Sequence, residues 1–133
     1  MHAIYGSSLR GIPQERSFAH LVRFFPQLSC VAVHDARLVG YATGRVHRGF
    51  LTKGSAAFLF SIAVDSSARG EGIGRALMEY FVDSARSLGL RELDLEVERD
   101  NVAARALYES FGMKILDSQP TGQRSTSYMA GKL

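Results

Sequence analysis

The sequence predicts an α/β protein, α+β by some conventions, built on a mixed central sheet flanked by helices. Three observations carry that reading. The apolar run Ala57 to Val64 passes through a short polar turn into Gly70, Gly72 and Gly74, which open a long amphipathic helix. Leu93-Asp94-Leu95-Glu96-Val97 alternates with the period of two that a strand requires. Hairpin patterns stand on either side, from Ser29 to His47 and from Lys114 to Ala130. Two strands joined by a long helix default to a parallel pair with a right-handed crossover, whereas hairpins are antiparallel, so the expected sheet is mixed.

In chain order, residues 1–11 are weakly patterned and read either as a short edge strand or as a frayed start. Pro13 suits the first turn of a helix on which Phe18, Leu21, Val22 and Phe25 share a face, and Pro26 stops it. Strands follow at Ser29 to His34 and Leu38 to His47 around the turn 35–37, with Gly40 and Gly44 weakening the second. A polar loop, Arg48 to Ser55, precedes the strand Ala57 to Val64. The long helix carries Ile73, Leu77, Tyr80, Phe81 and Leu88 on its apolar stripe and ends at Gly89. After the strand Leu93 to Val97, Asp100 or Asn101 caps a shorter helix in which Ala104, Leu107, Tyr108 and Phe111 share a face, closed by Gly112. Strands Lys114 to Leu116 and Ser125 to Ala130 flank a Pro120/Gly122 turn.

A chain of 133 residues is expected to make one domain with one core. Hydrophobic residues at 46% and charged residues at 22% describe a soluble globular protein. The formal charge of +3 suits an anionic cofactor, but no lysine/arginine run marks a nucleic-acid or membrane patch. Cys30 is the only cysteine, so no internal disulfide can form, and its apolar surroundings point to a small buried hydrophobe. The four histidines lack metal-ligand spacing, so no metal is expected. No apolar run is long enough to span a bilayer and no leader is apparent, so a cytoplasmic setting is expected.

The glycine turn is the first stretch that carries chemistry. Glycines ahead of a helix let backbone N–H groups converge on an anion, and the free N–H groups of the first turn favour a phosphate there; the alternative is a plain loop. A dinucleotide fingerprint fails, because Arg75 and Leu77 stand where a small residue is needed, and no Gly-Lys-Ser/Thr ending supports a P-loop. Arg69, Gly72 and Gly74 fit the pattern R/Q-x-x-G-x-G/A, which resembles the pyrophosphate-binding motif of the GNAT superfamily of N-acetyltransferases.

A second stretch strengthens the resemblance. Asn101, Ala104, Leu107, Tyr108 and Gly112 match the distal GNAT motif N-x-x-A-x-x-L-Y-x-x-x-G-F, with Met113 in place of the final phenylalanine. The resemblance implies the GNAT fold from about residue 29 onward, behind an abbreviated N-terminal part, and acetyl-CoA as cosubstrate. It implies that the pantetheine arm adds to the backbone of Ile62, Ala63 and Val64. The pyrophosphate would lie on Arg69, Gly70, Glu71, Gly72, Ile73, Gly74 and Arg75, with Asn101 bonding the arm from the far side and Arg105 a further phosphate contact or a solvated arginine. A β-bulge in strand 57–64 would part it from strand 93–97 and free backbone groups for the ligand.

Acyl transfer from a thioester to an amine needs a neutral nucleophile, a stabilised oxyanion and a protonated leaving thiolate. The family-implied oxyanion donor is the Val64 N–H. Tyr108 is the candidate acid, since a phenol of pKa near 10 lies just above a thiol of about 8.5. Glu96 is the candidate base and Glu98 the reserve; Leu95-Glu96-Val97 and the spacing to Tyr108 resemble the bacterial ribosomal-protein alanine N-acetyltransferases. Phe58 stands where some protein-lysine acetyltransferases of the family carry a glutamate, which counts against a histone-type mechanism.

The expected activity is direct attack of a primary amine on bound acetyl-CoA in a ternary complex, with no metal. The acceptor is a peptide or protein N-terminus or a small amine, and a homodimer is left open. The alternative is a non-catalytic GNAT module that binds or senses acyl-CoA.

Overall fold

The computed structural model describes residues 3–6, 26–34, 36–116 and 125–133. Seven strands form one mixed sheet in the order β1-β2-β3-β4-β5-β7-β6: β1 Ala3–Gly6, β2 Ser29–His34, β3 Arg37–Arg48, β4 Ser55–Val64, β5 Glu92–Glu98, β6 Lys114–Ile115 and β7 Thr126–Lys132. All neighbours are antiparallel except β4 and β5. Among the described residues two α-helices, α1 Ile73–Ser87 and α2 Val102–Ser110, connect and follow that parallel pair. The weakly patterned start thus contains an edge strand. The helix expected from Pro13 to Phe25 and the Pro120/Gly122 turn lie outside the described residues, and Pro26–Leu28 form a single 3-10 turn. Among the described residues no helix is long and apolar enough to cross a membrane.

Helix α1 buries Ile73, Leu77, Met78, Phe81, Val82 and Ala85 in the same cluster as Leu59, Leu93, Leu95 and Val97 of the sheet. Each large apolar side chain so removed from water contributes roughly 1.5–3 kcal/mol. Tyr80 and Leu88, expected on this stripe, are instead 38% and 44% exposed. The stripe is centred on Leu77, Phe81 and Ala85, which leaves Tyr80 at its margin. Leu88 is the capping residue past the last turn. Gly89, at φ 78°, reverses the chain there; its N–H donates to Arg86 O at 2.9 Å and that of Leu90 to Ala85 O at 3.1 Å. It is therefore Leu90 that is buried, as the glycine-terminated helix end favours. The end of α2 repeats the arrangement, with Gly112 N–H on Glu109 O and Met113 N–H on Tyr108 O.

Gly40 and Gly44 do more than weaken β3. They are the flat floor on which α1 rests. A Cβ at Gly44 would strike the Phe58 carbonyl oxygen and come within 2.6 Å of the Phe81 ring. Gly44→Ala is therefore expected to destabilise the protein by about 3 kcal/mol, read as a fall in the urea midpoint, because neither backbone nor a packed ring yields easily. Gly54→Ala, with only the Thr52 hydroxyl nearby at 3.8 Å, serves as the comparison and should change little.

One irregularity positions the site. The β3/β4 register runs Thr43↔Ser61 and then Gly44↔Leu59, so Phe60 is an extra, unpaired residue on β4 and is 45% exposed. The expected bulge is present. Parallel pairing of β4 with β5 covers only Ala57↔Leu93, Phe58↔Asp94 and Leu59↔Leu95. Beyond it β4 stays with β3 while β5 stays with β7 as far as Glu98↔Thr126, and the two strands diverge.

Candidate active site

The gap between the diverging strands is a cleft of about 210 Å³ that reaches from Phe60 and Ile62 on β4 to Glu96 and Glu98 on β5, with Asn101 and Tyr108 of α2 closing it. The two candidate proton-transfer residues thus arrive at one place from two elements. Glu96 comes from the face of β5 turned away from the helices, because Leu95 and Val97, its neighbours in sequence, enter the helix-packed core. Tyr108 comes from α2 and is buried, 6% exposed. That burial raises its phenol above the ordinary value of 10.

Backbone alternation decides which groups of β4 face the gap. The Asp65 N–H donates to Val39 O of β3 at 2.7 Å. Since N–H and C=O groups alternate edges along a strand, Ala63 also turns its amide to β3, and the amides of Ile62 and Val64 point into the gap. Val64 O accepts from Arg69 Nε at 3.3 Å on that side.

Past the end of β4, with Gly74 close to Val64 and Leu107, α1 begins without a side-chain cap and with no acidic residue in its first turn. Its first intrahelical bond runs from Ala76 N to Gly72 O at 3.0 Å, so the N–H groups of Ile73, Gly74 and Arg75 have no partner within the helix. Gly70 and Gly72 take φ of 82° and 78°, a conformation that L side chains resist, and open space lies where a Cβ would stand. These residues fit an anion such as a diphosphate. The Ile73 side chain is in the core, so only its backbone is available. Glu71, between the two left-handed glycines, is exposed, and Gly74 has ordinary room for a methyl group, 3.7 Å from Leu107.

The arginines are less free than the sequence suggested. Arg75 Nη2 donates to Ser110 Oγ at 3.0 Å, and its guanidinium lies 5.5 Å from the Phe111 ring, tying α1 to α2. Arg105 Nη1 donates to Arg99 O. Asn101 Oδ1 accepts from Ala104 N at 3.1 Å as the cap of α2, which leaves its amide nitrogen for the cleft. Cys30 is buried, with its thiol pushed up to about 12 by desolvation, in keeping with a packing role. Among the described residues no group of three His, Cys, Asp or Glu side chains could hold a metal ion.

Residues that sequence reasoning passed over surround Glu96. Tyr128 of β7 sits directly across from it in register. The charge of Glu96 opposite it holds the Tyr128 phenol above its usual range. Glu92 and Asp94, on the same face of β5, are fully buried despite being acidic. Asp94 Oδ2 accepts from Phe50 N at 3.0 Å and lies 2.7 Å from His47 Nε2. Glu92 accepts from Leu51 N and Thr52 N at 3.0 and 2.8 Å. Desolvation, with the neighbouring Glu92, pushes Asp94 up to about 8, and burial lowers His47, so each shift works against a charged pair here.

Comparison with known proteins follows the same lines. The model of the acetyltransferase (GNAT) family matches residues 2–113. The chain belongs to the GNAT family. It is 50% identical to the [ribosomal protein bS18]-alanine N-acetyltransferase of Escherichia coli K12 over 56 residues, 42% of this chain and 38% of that protein. It is 34% identical to N-alpha-acetyltransferase 30 of Schizosaccharomyces pombe over 97 residues, 71% of this chain and 63% of that protein. The chain thus spans less than two thirds of the length of these relatives. A chain in the crystal structure of the NatC complex bound to Gag peptide and CoA superposes with a TM-score of 0.84 at 18% identity, over 99% of this GNAT chain and 98% of that one. At that identity the likeness speaks to the fold, and the mixed sheet with its two helices is the GNAT fold.

Proposed function

We propose that this GNAT chain is an acetyl-CoA-dependent N-acetyltransferase that passes an acetyl group to a primary amine, with a peptide or protein N-terminus as the acceptor class. The observation that carries the proposal is the shared cleft: Glu96 and Tyr108 line one gap at the Phe60 bulge, and the same strand leads on to the uncapped start of α1. The names of the two relatives, both N-acetyltransferases, support the acceptor class.

Acetyl-CoA, when bound, supplies the activated thioester carbonyl. The backbone of Gly70 to Arg75 grips its diphosphate, and Ile62 and Val64 offer the arm the amides that face the gap, while Ala63 holds β4 to β3. Asn101 donates to the arm through its amide nitrogen. Glu96 takes the proton that an incoming ammonium must lose, a smaller task for an α-amine of pKa about 7.7–8 than for a lysine of about 10.4. The Val64 N–H faces the carbonyl oxygen as charge develops on it. Tyr108, kept protonated by its burial, delivers a proton to the departing sulfur.

Calorimetry with CoA tests the cofactor half. Gly72→Ala forces an L side chain into φ 78° and is expected to weaken CoA binding by about tenfold, since a left-handed residue costs roughly 1–2 kcal/mol. Gly74→Ala, which meets only ordinary contacts, should bind within about twofold of the unmodified protein. Absence of CoA binding by the intact protein would overturn the transferase reading.

A further inference from the structure

The loop 49–54 between β3 and β4 is held far more firmly than a surface connection requires. Three of its successive backbone N–H groups, those of Phe50, Leu51 and Thr52, are bound by the carboxyl groups of Asp94 and Glu92, both wholly buried. Gly49 N–H closes the loop on Gly54 O at 2.7 Å, and a Cβ at Gly49 would come within 2.6 Å of Glu92 Oε1. Burying two acidic side chains is costly unless their bonds accomplish something. What these bonds accomplish is the placing of one ring. Phe50 stands at right angles to Tyr128, centroids 5.2 Å apart, and also edges Phe58 at 6.4 Å and His47 at 5.2 Å.

Glu92, Asp94 and Glu96 lie on one face of β5, so this aromatic group borders Glu96 on the side of the sheet opposite both helices. Tyr128 joins the two, its ring against Phe50 and its backbone directly across from Glu96 in the β5/β7 register. An amine that gives its proton to Glu96 must bring the group attached to its α-carbon against these rings.

We propose that Phe50 and Tyr128 form the specificity wall for the acceptor's first side chain, and that the buried Glu92/Asp94 clamp is there to hold Phe50 in it. This rests on the acetyltransferase reading given above. The wall selects an uncharged, apolar first side chain. An acidic one would be repelled by the Glu96 carboxylate, and a basic one by the guanidinium of Arg45, which lies 5.0 Å over the Phe58 ring. Phe50 and Tyr128 transfer no proton to or from the substrate in this scheme; they determine which amine arrives.

The test uses acetyl-CoA and four peptides that differ only in the first residue: leucine, alanine, aspartate and lysine. The unmodified protein should favour leucine and alanine over aspartate and lysine by about tenfold or more in kcat/KM. Phe50→Ala should reduce that preference to under about threefold through a higher KM for the apolar peptides, with KM for acetyl-CoA unchanged. Phe50→Leu, which keeps an apolar face, should retain most of the preference. Survival of the preference in Phe50→Ala, or its absence from the unmodified protein, overturns the wall while leaving the transferase reading intact. Failure to acetylate any of the four while CoA binds normally overturns both the peptide acceptor class and the wall.

Discussion

Tyr108→Phe is expected to lower kcat for acetyl transfer by about 100-fold while CoA binding stays within about twofold. The substitution removes one hydroxyl and keeps the ring that packs in the core with Leu107 and Phe111. A loss in kcat alone therefore reports on the proton and not on the fold. Burial keeps the Tyr108 phenol protonated beyond its ordinary range, so the alkaline limb of the kcat profile that belongs to it lies above pH 10. That limb should be missing from the Tyr108→Phe profile. Glu96→Gln should also lower kcat, most steeply with the more basic amines, since these have the most to gain from a base. Thiol release followed from low to high pH measures all three. If both variants turned over as fast as the unmodified protein, Tyr108 would be a packing residue and Glu96 a surface carboxylate.

The second large effect concerns stability rather than rate. Asp94 and Glu92 are both fully buried on one face of β5, where two negative charges would meet with little water to screen them. Burial and the neighbouring Glu92 raise Asp94 from an ordinary 3.8 to about 8, while Glu92, against the cost of its own burial, is held down at about 2 by Asp94 and the loop N–H groups. A carboxyl whose folded pKa is raised contributes stability that is complete below its unfolded pKa and lost as pH rises through the folded one. For Asp94 that window runs from about pH 4 to about pH 8. Glu92 acts with the opposite sign, its contribution being lost as pH falls from 4.5 toward 2. The pair as a unit thus gives a maximum near pH 4–5 and a decline toward pH 9 on the order of a few kcal/mol.

Asparagine reproduces the protonated acid. Its carbonyl accepts from Phe50 N and His47, and its NH2 brings no second charge beside Glu92. Asp94→Asn is therefore expected to flatten the decline and to be more stable than the unmodified protein at pH 9. Urea midpoints at pH 5, 7 and 9 measure this. A wild-type midpoint that does not fall above pH 5 would show that Asp94 is not held protonated, and a destabilised Asp94→Asn at every pH would show that the carboxyl is ionised.

Much of the fold was legible in local patterns. The period of two at Leu93 to Val97, the apolar stripe of α1 and the glycines that end both helices are properties of a dozen residues at a time, and each element stands where those patterns put it. Gly70 and Gly72 marked the turn ahead of α1, and the structure gives both the left-handed backbone angles at which glycine is at ease. Asp100 and Asn101 both announced the start of α2 because either side chain can close a first turn, and it is Asn101 that does so. Even the divergence of β4 from β5 was anticipated, through the likeness of two motifs to those of the GNAT family.

What only the tertiary structure decided are the relations between elements that no period encodes. Asp94 occupies an alternate position of a strand and on pattern alone belongs in water; it is buried because a loop more than forty residues earlier folds over it and offers an N–H. Tyr128 becomes a partner of Glu96 through the register of β5 with β7, which a shift of one residue would abolish. Gly44 reads as a weak point in β3 until Phe81 of α1 is laid against it. Periodicity and capping are settled by the backbone of each segment. Burial of a charge, or the meeting of a base with its neighbour, depends on which surfaces the whole chain brings into contact.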